Sequence, residues 1–305
     1  MLGGGGFIGS HVVDVLLQQG RDVRVFEKVN LTTKGLPFDQ SQVEWVEGDF
    51  LNERDLALAV QGCDIVFHMI STTLPKTSNE NPLYDIETNV AGSVGLLEIA
   101  RSCRTKKIVF LSSGGTVYGN PDLDSLSEDT PANPICAYGI GKLSVEKYLG
   151  MYYHLYGLDY CILRVSNPYG ERQRFWAGQG AVNTFLYKAL KGECIEIWGD
   201  GLVVRDYIYI GDVAKVMLQA AQYDGPFKVF NIGSGVGKTL NDIIVAIERC
   251  LGKKPKTSYS PGRAFDVTRN VLDITRACSH LGWRVETSLE EGLQRTAVWI
   301  QQTFL

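Results

Sequence analysis

The sequence predicts an α/β fold, a doubly wound parallel sheet with a smaller α/β domain over its strand ends. Three observations predict it. Apolar, strand-like runs alternate with helix-like segments through the first half of the 305 residues. A glycine loop, Gly3-Gly4-Gly5-Gly6-Phe7-Ile8-Gly9, stands at the head of the first helix. Beyond Asn167 the texture changes, with Gly, Gln, Arg and Trp crowding residues 170–180. Apolar strands that alternate with helices need helices on both sheet faces.

In chain order, residues 11–19 read as a helix closed by Gly20, and residues 23–26 as a strand. Residues 52–60 read as a short helix and residues 63–69 as a strand. Residues 83–103 carry apolar side chains at helical spacing and read as one long helix. A strand at 107–112, a second long helix at 138–155 and a strand at 160–165 follow. Shorter pieces lead to a final helix at 290–301. A glycine loop of this kind normally follows a central strand, yet only Met1 and Leu2 precede it. An absent central strand leaves both neighbours unpaired. Upstream residues are therefore expected to be missing from this numbering.

Composition narrows the function. The apolar fraction is 45% and the net charge is −4, with no basic run, so no electrostatic footprint for nucleic acid exists. Apolar runs fall short of the roughly 18 residues of a membrane span, and no signal peptide is visible. Seven cysteines lie scattered without CxxC spacing, which points to reduced thiols and a cytoplasmic protein. The four histidines show no metal spacing, and no metal is expected.

The chemistry rests on two motifs. Gly3, Gly6 and Gly9 fit a GxxGxxG spacing at a helix head, where bare backbone and the helix N-terminus suit a pyrophosphate. Glu27 ends the next strand, 18 residues beyond Gly9. A carboxylate there accepts a ribose 2′-hydroxyl and repels a 2′-phosphate, favouring NAD over NADP, although Lys28 beside it softens the preference. Asp49 follows another strand and is placed to meet adenine. The second motif is Tyr138 and Lys142, one helical turn apart. Tyrosine, with a pKa of about 10, is a poor base unless a cation stabilises its phenolate. Lys142 supplies that cation, and a base of this kind removes the proton of a sugar hydroxyl as hydride leaves its carbon.

Further motifs occur in order: Gly48-Asp49, Asn89-Val90-Ala91-Gly92, Ser112-Ser113, Val117-Tyr118-Gly119, then Arg164 to Gly170 reading RVSNPYG, Gly199-Asp200-Gly201, and Arg205 to Ala214 reading RDYIYIGDVA. Over nearly its whole length the chain resembles the extended short-chain dehydrogenase/reductase family of nucleotide-sugar enzymes. Within it the likeness is greatest to the UDP-glucose (UDP-galactose) 4-epimerases. The resemblance implies a Rossmann-like NAD-binding domain at residues 1–167, with returning segments near 206–233. It implies a nucleotide-sugar-binding domain at 168–205 and 234–305. Implied NAD contacts are Gly3, Gly6, Phe7, Ile8, Gly9, Glu27, Lys28, Asp49, Phe50, Met69, Ile70, Ser71, Asn89, Tyr138, Lys142 and Pro168. Implied UDP-sugar contacts are Asn167, Val182, Arg205, Arg263 and Asn270. The two arginines suit a diphosphate, which takes forked cationic donors. Pairing of the two long helices into a homodimer is also implied.

One departure stands out. Counting back from Val117-Tyr118-Gly119, the family's catalytic Ser/Thr falls on Gly114, which has no hydroxyl. Ser113, Thr116, a water, or Tyr138 acting alone replaces it, with Ser113 favoured and Thr116 next. Gly115 and Thr116 also lack the acid that related dehydratases and decarboxylases carry here. Asn270 falls at the family's sugar-pocket gate, where a tyrosine restricts the pocket; the smaller side chain is expected to admit N-acetyl sugars. The sequence thus points to a UDP-sugar 4-epimerase retaining NAD. Another nucleotide-sugar oxidoreductase or dehydratase, and an NAD-sensing protein of weak catalysis, are the alternatives.

Overall fold

The computed structural model describes residues 1–29, 38, 40–174, 180–262 and 267–305. Helix α1 (Phe7–Gln18) begins directly behind the glycine loop, with Gly6 as its N-cap. It starts four residues before the expected position because Phe7 and Ile8 already pack against the core. Strands β1 (Arg24–Glu27) and β2 (Glu44–Glu47) precede α2 (Glu53–Val60). The Asn52 side chain caps α2 by accepting from the amides of Arg54 and Asp55. Strand β3 (Ile65–His68) runs into two short helices, α3 (Pro75–Glu80) and α4 (Pro82–Asp85). The chain then widens into a π-helical segment, Ile86–Ala91, before α5 (Gly92–Ser102). The single helix expected over 83–103 is thus interrupted, and α3 is an addition. Strand β4 (Lys107–Ser113), helix α6 (Ala137–Tyr156) and strand β5 (Asp159–Val165) complete this half.

The second half contains β6 (Asn167–Tyr169), α7 (Ala181–Lys191), β7 (Cys194–Trp198), β8 (Val204–Tyr209) and α8 (Ile210–Gln222). It continues with β9 (Val229–Ile232), β10 (Gly237–Thr239), α9 (Leu240–Leu251), β11 (Lys256–Ser260) and β12 (Arg269–Asn270). Helices α10 (Thr275–His280) and α11 (Leu289–Phe304) close the chain.

Strands β3, β4, β5 and β9 form a parallel sheet in that order, and β1 pairs with β2 in parallel. Leu2 joins the two pieces by bridging Phe26 and His68. Its amide donates to Phe67 O, its carbonyl accepts from Met69, and Met1 O accepts from Phe26. Two residues therefore stand where a full central strand was expected. Side chains alternate along the strands. Ile108, Phe110 and Ile162 join one buried cluster with Leu96, Leu97 and Leu149 of α5 and α6. Val109 and Leu163 join the other with Val12, Val13 and Val216 of α1 and α8. Burial on both faces explains the unbroken apolar run of β4.

The remaining strands make a smaller layer. β8 pairs with β6 and β12 in parallel and with β10 antiparallel, and β7 pairs with β11. In the main sheet Ser113 lies opposite Val165, and Val165 opposite Ile232. Three strands thus end at one edge. The glycine loop and the head of α6 reach that edge, where ligands of open α/β sheets bind.

Candidate active site

The glycine loop is a cradle that side chains would fill. Gly3 has φ +86°, and a Cβ on Gly9 would lie 2.0 Å from Gly3 O. No side chain caps α1, so its first-turn amides face outward with the positive end of the helix dipole. Glu27 Oε1 accepts from Gly5 N at 2.7 Å, tying the β1 carboxylate to the loop. Burial raises its pKa, and the Gly5 hydrogen bond works against the rise. Lys28 is exposed beside it. The exposed Asp49 accepts from Leu51 N at 3.0 Å, while Phe50 is buried against Gly92 of α5. Ile70 and Met69 lie against Gly3, so the end of β3 forms the neighbouring wall.

Tyr138 and Lys142 occupy the first turns of α6. Helix α3 fixes this helix head: Asn79 Oδ1 accepts from Ala137 N at 2.9 Å, and Ser78 Oγ from Tyr138 N at 3.0 Å. Lys142 Nζ donates to Leu111 O at 2.9 Å and lies 5.6 Å from the Tyr138 ring centre. Burial pushes the Tyr138 hydroxyl up to about 12; the Ser71 hydroxyl bonded to it opposes the rise, and Asp85 and Cys136 add to it. Burial lowers the Lys142 ammonium to about 8, against the attraction of Asp85 and Glu146.

The turn at residues 71–73 is held from the π segment. Asn89 Oδ1 accepts from Thr72 N at 2.9 Å, and its Nδ2 donates to Thr73 Oγ1 at 3.0 Å and Asp85 Oδ1 at 2.9 Å. The side chain expected to touch the cofactor is thus engaged in shaping the wall beside Tyr138. Asp85, Thr73 and Ser166 escaped the sequence reading. Only the four-residue step from Asp85 to Asn89, one helical turn, hinted at the first.

Around Gly114 the packing is close. A Cβ there would lie 2.5 Å from Leu272 Cδ1 and 2.8 Å from Arg164 O. Ser113 sits half-buried at the end of β4, and its Oγ makes no hydrogen bond among the described residues. Among the described residues, Thr116 Oγ1, Ser166 Oγ and Asn270 Oδ1 are buried without partners. Asn270 Nδ2 donates to Gly114 O at 3.0 Å, which sets β12 against the end of β4. Beneath this edge, Arg164 pairs with Glu146 at 2.6 Å, Ser112 Oγ donates to Glu146 Oε1, and Arg164 Nη1 donates to Tyr118 OH.

The residues assigned to substrate gather along β6 and β8. Asn167 Nδ2 donates to Asp206 O at 2.9 Å, and Pro168 follows it opposite Ile208. Arg205 Nη1 donates to Val204 O, and Arg205 lies opposite Asn270 in register. Val182, expected to meet the substrate, is instead 1% exposed at the head of α7 and packs into the core. Arg263 lies outside the described residues.

Residues 1–233 match the NAD dependent epimerase/dehydratase family. The chain belongs to that family. A UDP-glucose 4-epimerase from Mycolicibacterium smegmatis is 36% identical over 302 residues, covering 96% of this chain and 95% of that one. A UDP-glucose 4-epimerase from Thermotoga maritima, solved with UDP-glucose, superposes with a TM-score of 0.94 at 36% identity, covering 100% of this chain and 98% of its own. That of Thermus thermophilus, solved with NAD, gives 0.90 at 32% identity, with 99% and 98% covered.

As a member of the NAD dependent epimerase/dehydratase family, the chain has the cradle that NAD requires. A Cβ at Gly9 would collide with the loop backbone, Gly3 has a left-handed φ, and Glu27 is tied to the loop by its bond from Gly5 N. Among the described residues no cluster fit for a metal ion occurs, and no helix is long and apolar enough to cross a membrane.

Proposed function

We propose that the protein is a UDP-sugar 4-epimerase that interconverts UDP-glucose and UDP-galactose, with the N-acetylhexosamine forms admitted past Asn270. The observation that carries this is the Tyr138–Lys142 pair, a half-buried tyrosine one turn from a buried lysine, between the serine-bearing end of β4 and the glycine cradle. When bound, NAD supplies the acceptor and donor of the C4 hydride. Tyr138 takes the proton of the sugar 4-hydroxyl and later returns it. Lys142, cationic at neutral pH, favours the phenolate form that this requires. Ser113 at the end of β4 holds the reacting oxygen in place of the hydroxyl that Gly114 lacks, with the unpartnered Thr116 Oγ1 the second candidate. Asn167 and Arg205 hold the nucleotide diphosphate, together with Arg263. Residues 113–116, Ser-Gly-Gly-Thr, offer no carboxyl acid for dehydration, which favours epimerisation over the dehydratase reading.

Three further assignments belong to this reading. Residues 1–167 with 206–233 bind NAD, and the rest binds the UDP-sugar. The exposed apolar stripe of α6, formed by Ile140, Tyr148, Met151 and Leu155, continues onto Leu83 and Ile86 and pairs two copies of the chain. Seven free thiols suit a reducing, cytoplasmic setting.

The test is conversion of UDP-galactose to UDP-glucose by purified protein, first without and then with added NAD. Tyr138→Phe is expected to lower turnover by at least about 1,000-fold while NAD affinity stays within about threefold. Turnover of neither UDP-galactose nor UDP-N-acetylgalactosamine by the NAD-loaded parent would overturn the proposal.

A further inference from the structure

Asp85 is a buried carboxylate, 2% exposed, that faces the reacting pair and plays no part in the mechanism above. Its Oδ1 accepts from Thr73 Oγ1 and from Asn89 Nδ2. Its Oδ2 presses on α6 between the two reacting residues: a Cβ on Gly141 would lie 3.0 Å from it. The sequence Tyr138-Gly139-Ile140-Gly141-Lys142 therefore leaves its helix face bare where this carboxylate approaches. Asp85 also ends α4 at the start of the π segment, so the wide turn and the bare helix face meet at one acid. No cation pairs with it directly among the described residues; its partners Thr73 and Asn89 are neutral donors.

We propose that Asp85 is a positioning residue for the Tyr138–Lys142 pair, holding Lys142 in its cationic form by charge and fixing the turn at residues 71–73 through Asn89. The proposal rests on the reading of that pair as the reacting groups. A lysine in an apolar wall beside Phe110 loses its proton readily unless an acid faces it. Two acids do so here. Glu146 lies on the same helix, but Arg164 of β5 and Ser112 of β4 already hold its oxygens. Asp85 alone of the two has no guanidinium on it, so its field at Lys142 is the less compensated. His68 of β3 also faces Lys142; burial lowers its pKa to about 3, so it stays neutral and adds no charge. Cys136, just before α6, faces Tyr138, and its thiol is pushed up by burial, so it too is uncharged near neutrality.

The sign of the expected effect follows from linkage. Lys142 has a folded pKa of about 8, below its ordinary 10.5. Between those values the folded chain binds fewer protons than the unfolded one, so this group's contribution to stability climbs as pH rises. Removing the charge of Asp85 lowers the folded value further, and the climb starts at lower pH. The experiment is thermal unfolding across pH 6 to 10 for the parent, Asp85→Asn, Lys142→Met and the double variant. The climb is expected to begin about one unit lower in Asp85→Asn. In the Lys142→Met background Asp85→Asn is expected to shift nothing. Should Asp85→Asn not fold, Asp85→Ser, which admits water at the same place, takes its role with the same expected shift. An unchanged onset, or an equal shift with and without Lys142, would overturn the proposal, since a merely structural acid destabilises without moving this titration. The readout needs neither cofactor nor turnover. Failure of the epimerase reading, seen as an inactive NAD-loaded parent, is thus distinguished from failure of this one.

Discussion

Gly114 stands where the sequence reading expects a catalytic hydroxyl, and the surroundings show why a hydroxyl cannot simply be put back. The Leu272 methyl can turn aside, but Arg164 O belongs to the backbone of β5 and cannot. Gly114→Ser is expected to destabilise the protein by about 1–3 kcal/mol through overpacking, with no gain in turnover. Urea unfolding and a steady-state assay check both halves; a faster enzyme of unchanged stability would contradict the packing argument. The departure was legible in sequence because its motif is contiguous. The orphaned hydroxyls of Thr116 and Ser166 were not, since burial without a partner depends on residues far apart in the chain.

At the scale of elements, the site depends on helices whose roles local sequence does not reveal. Residues 75–80, Pro-Lys-Thr-Ser-Asn-Glu, lack an apolar periodicity, so α3 left no helical signature. Its purpose is to cap α6 through Ser78 and Asn79, a contact across about sixty residues of sequence. The π segment likewise hid inside a pattern that fits an α-helix, since one widened turn barely changes the spacing of apolar residues. The long elements read well, with ends shifted by a few residues. Beneath the site, Glu146 of α6 and Arg164 of β5 form a pair exposed by only 4% and 7%. Glu146→Ala strands a buried guanidinium and is expected to cost about 3–5 kcal/mol. Denaturant unfolding followed by intrinsic fluorescence measures it, and a loss below about 1 kcal/mol would show that water solvates Arg164.

For the whole molecule, two sheets share the burden of the site. The main sheet presents the strand ends of β4, β5 and β9, and the smaller layer brings Asn270 and Arg205 over them. Leu2 is the thin join in the main sheet, pairing on both sides where a longer strand was expected. On the outside, Leu83 is 72% and Ile140 53% exposed. Ile140→Glu is expected to convert a dimer to a monomer, read by sedimentation or light scattering. An unaltered mass in the variant, or a monomeric parent, would remove this face as the interface.

The sequence by itself determined the fold class and supplied the glycine loop and the Tyr138–Lys142 spacing on which the proposed site rests, because each is written locally: strand periodicity, glycines at a helix head, one helical turn between tyrosine and lysine. It also marked Gly114 as a departure. Tertiary structure alone decided the environment of that pair. Asp85, Ser71 and Ser78 reach Tyr138 and Lys142 from segments far upstream in the chain, and burial moves the two pKa values in opposite directions. Burial and through-space charge are properties of chain segments brought together by folding, and no window of sequence contains them.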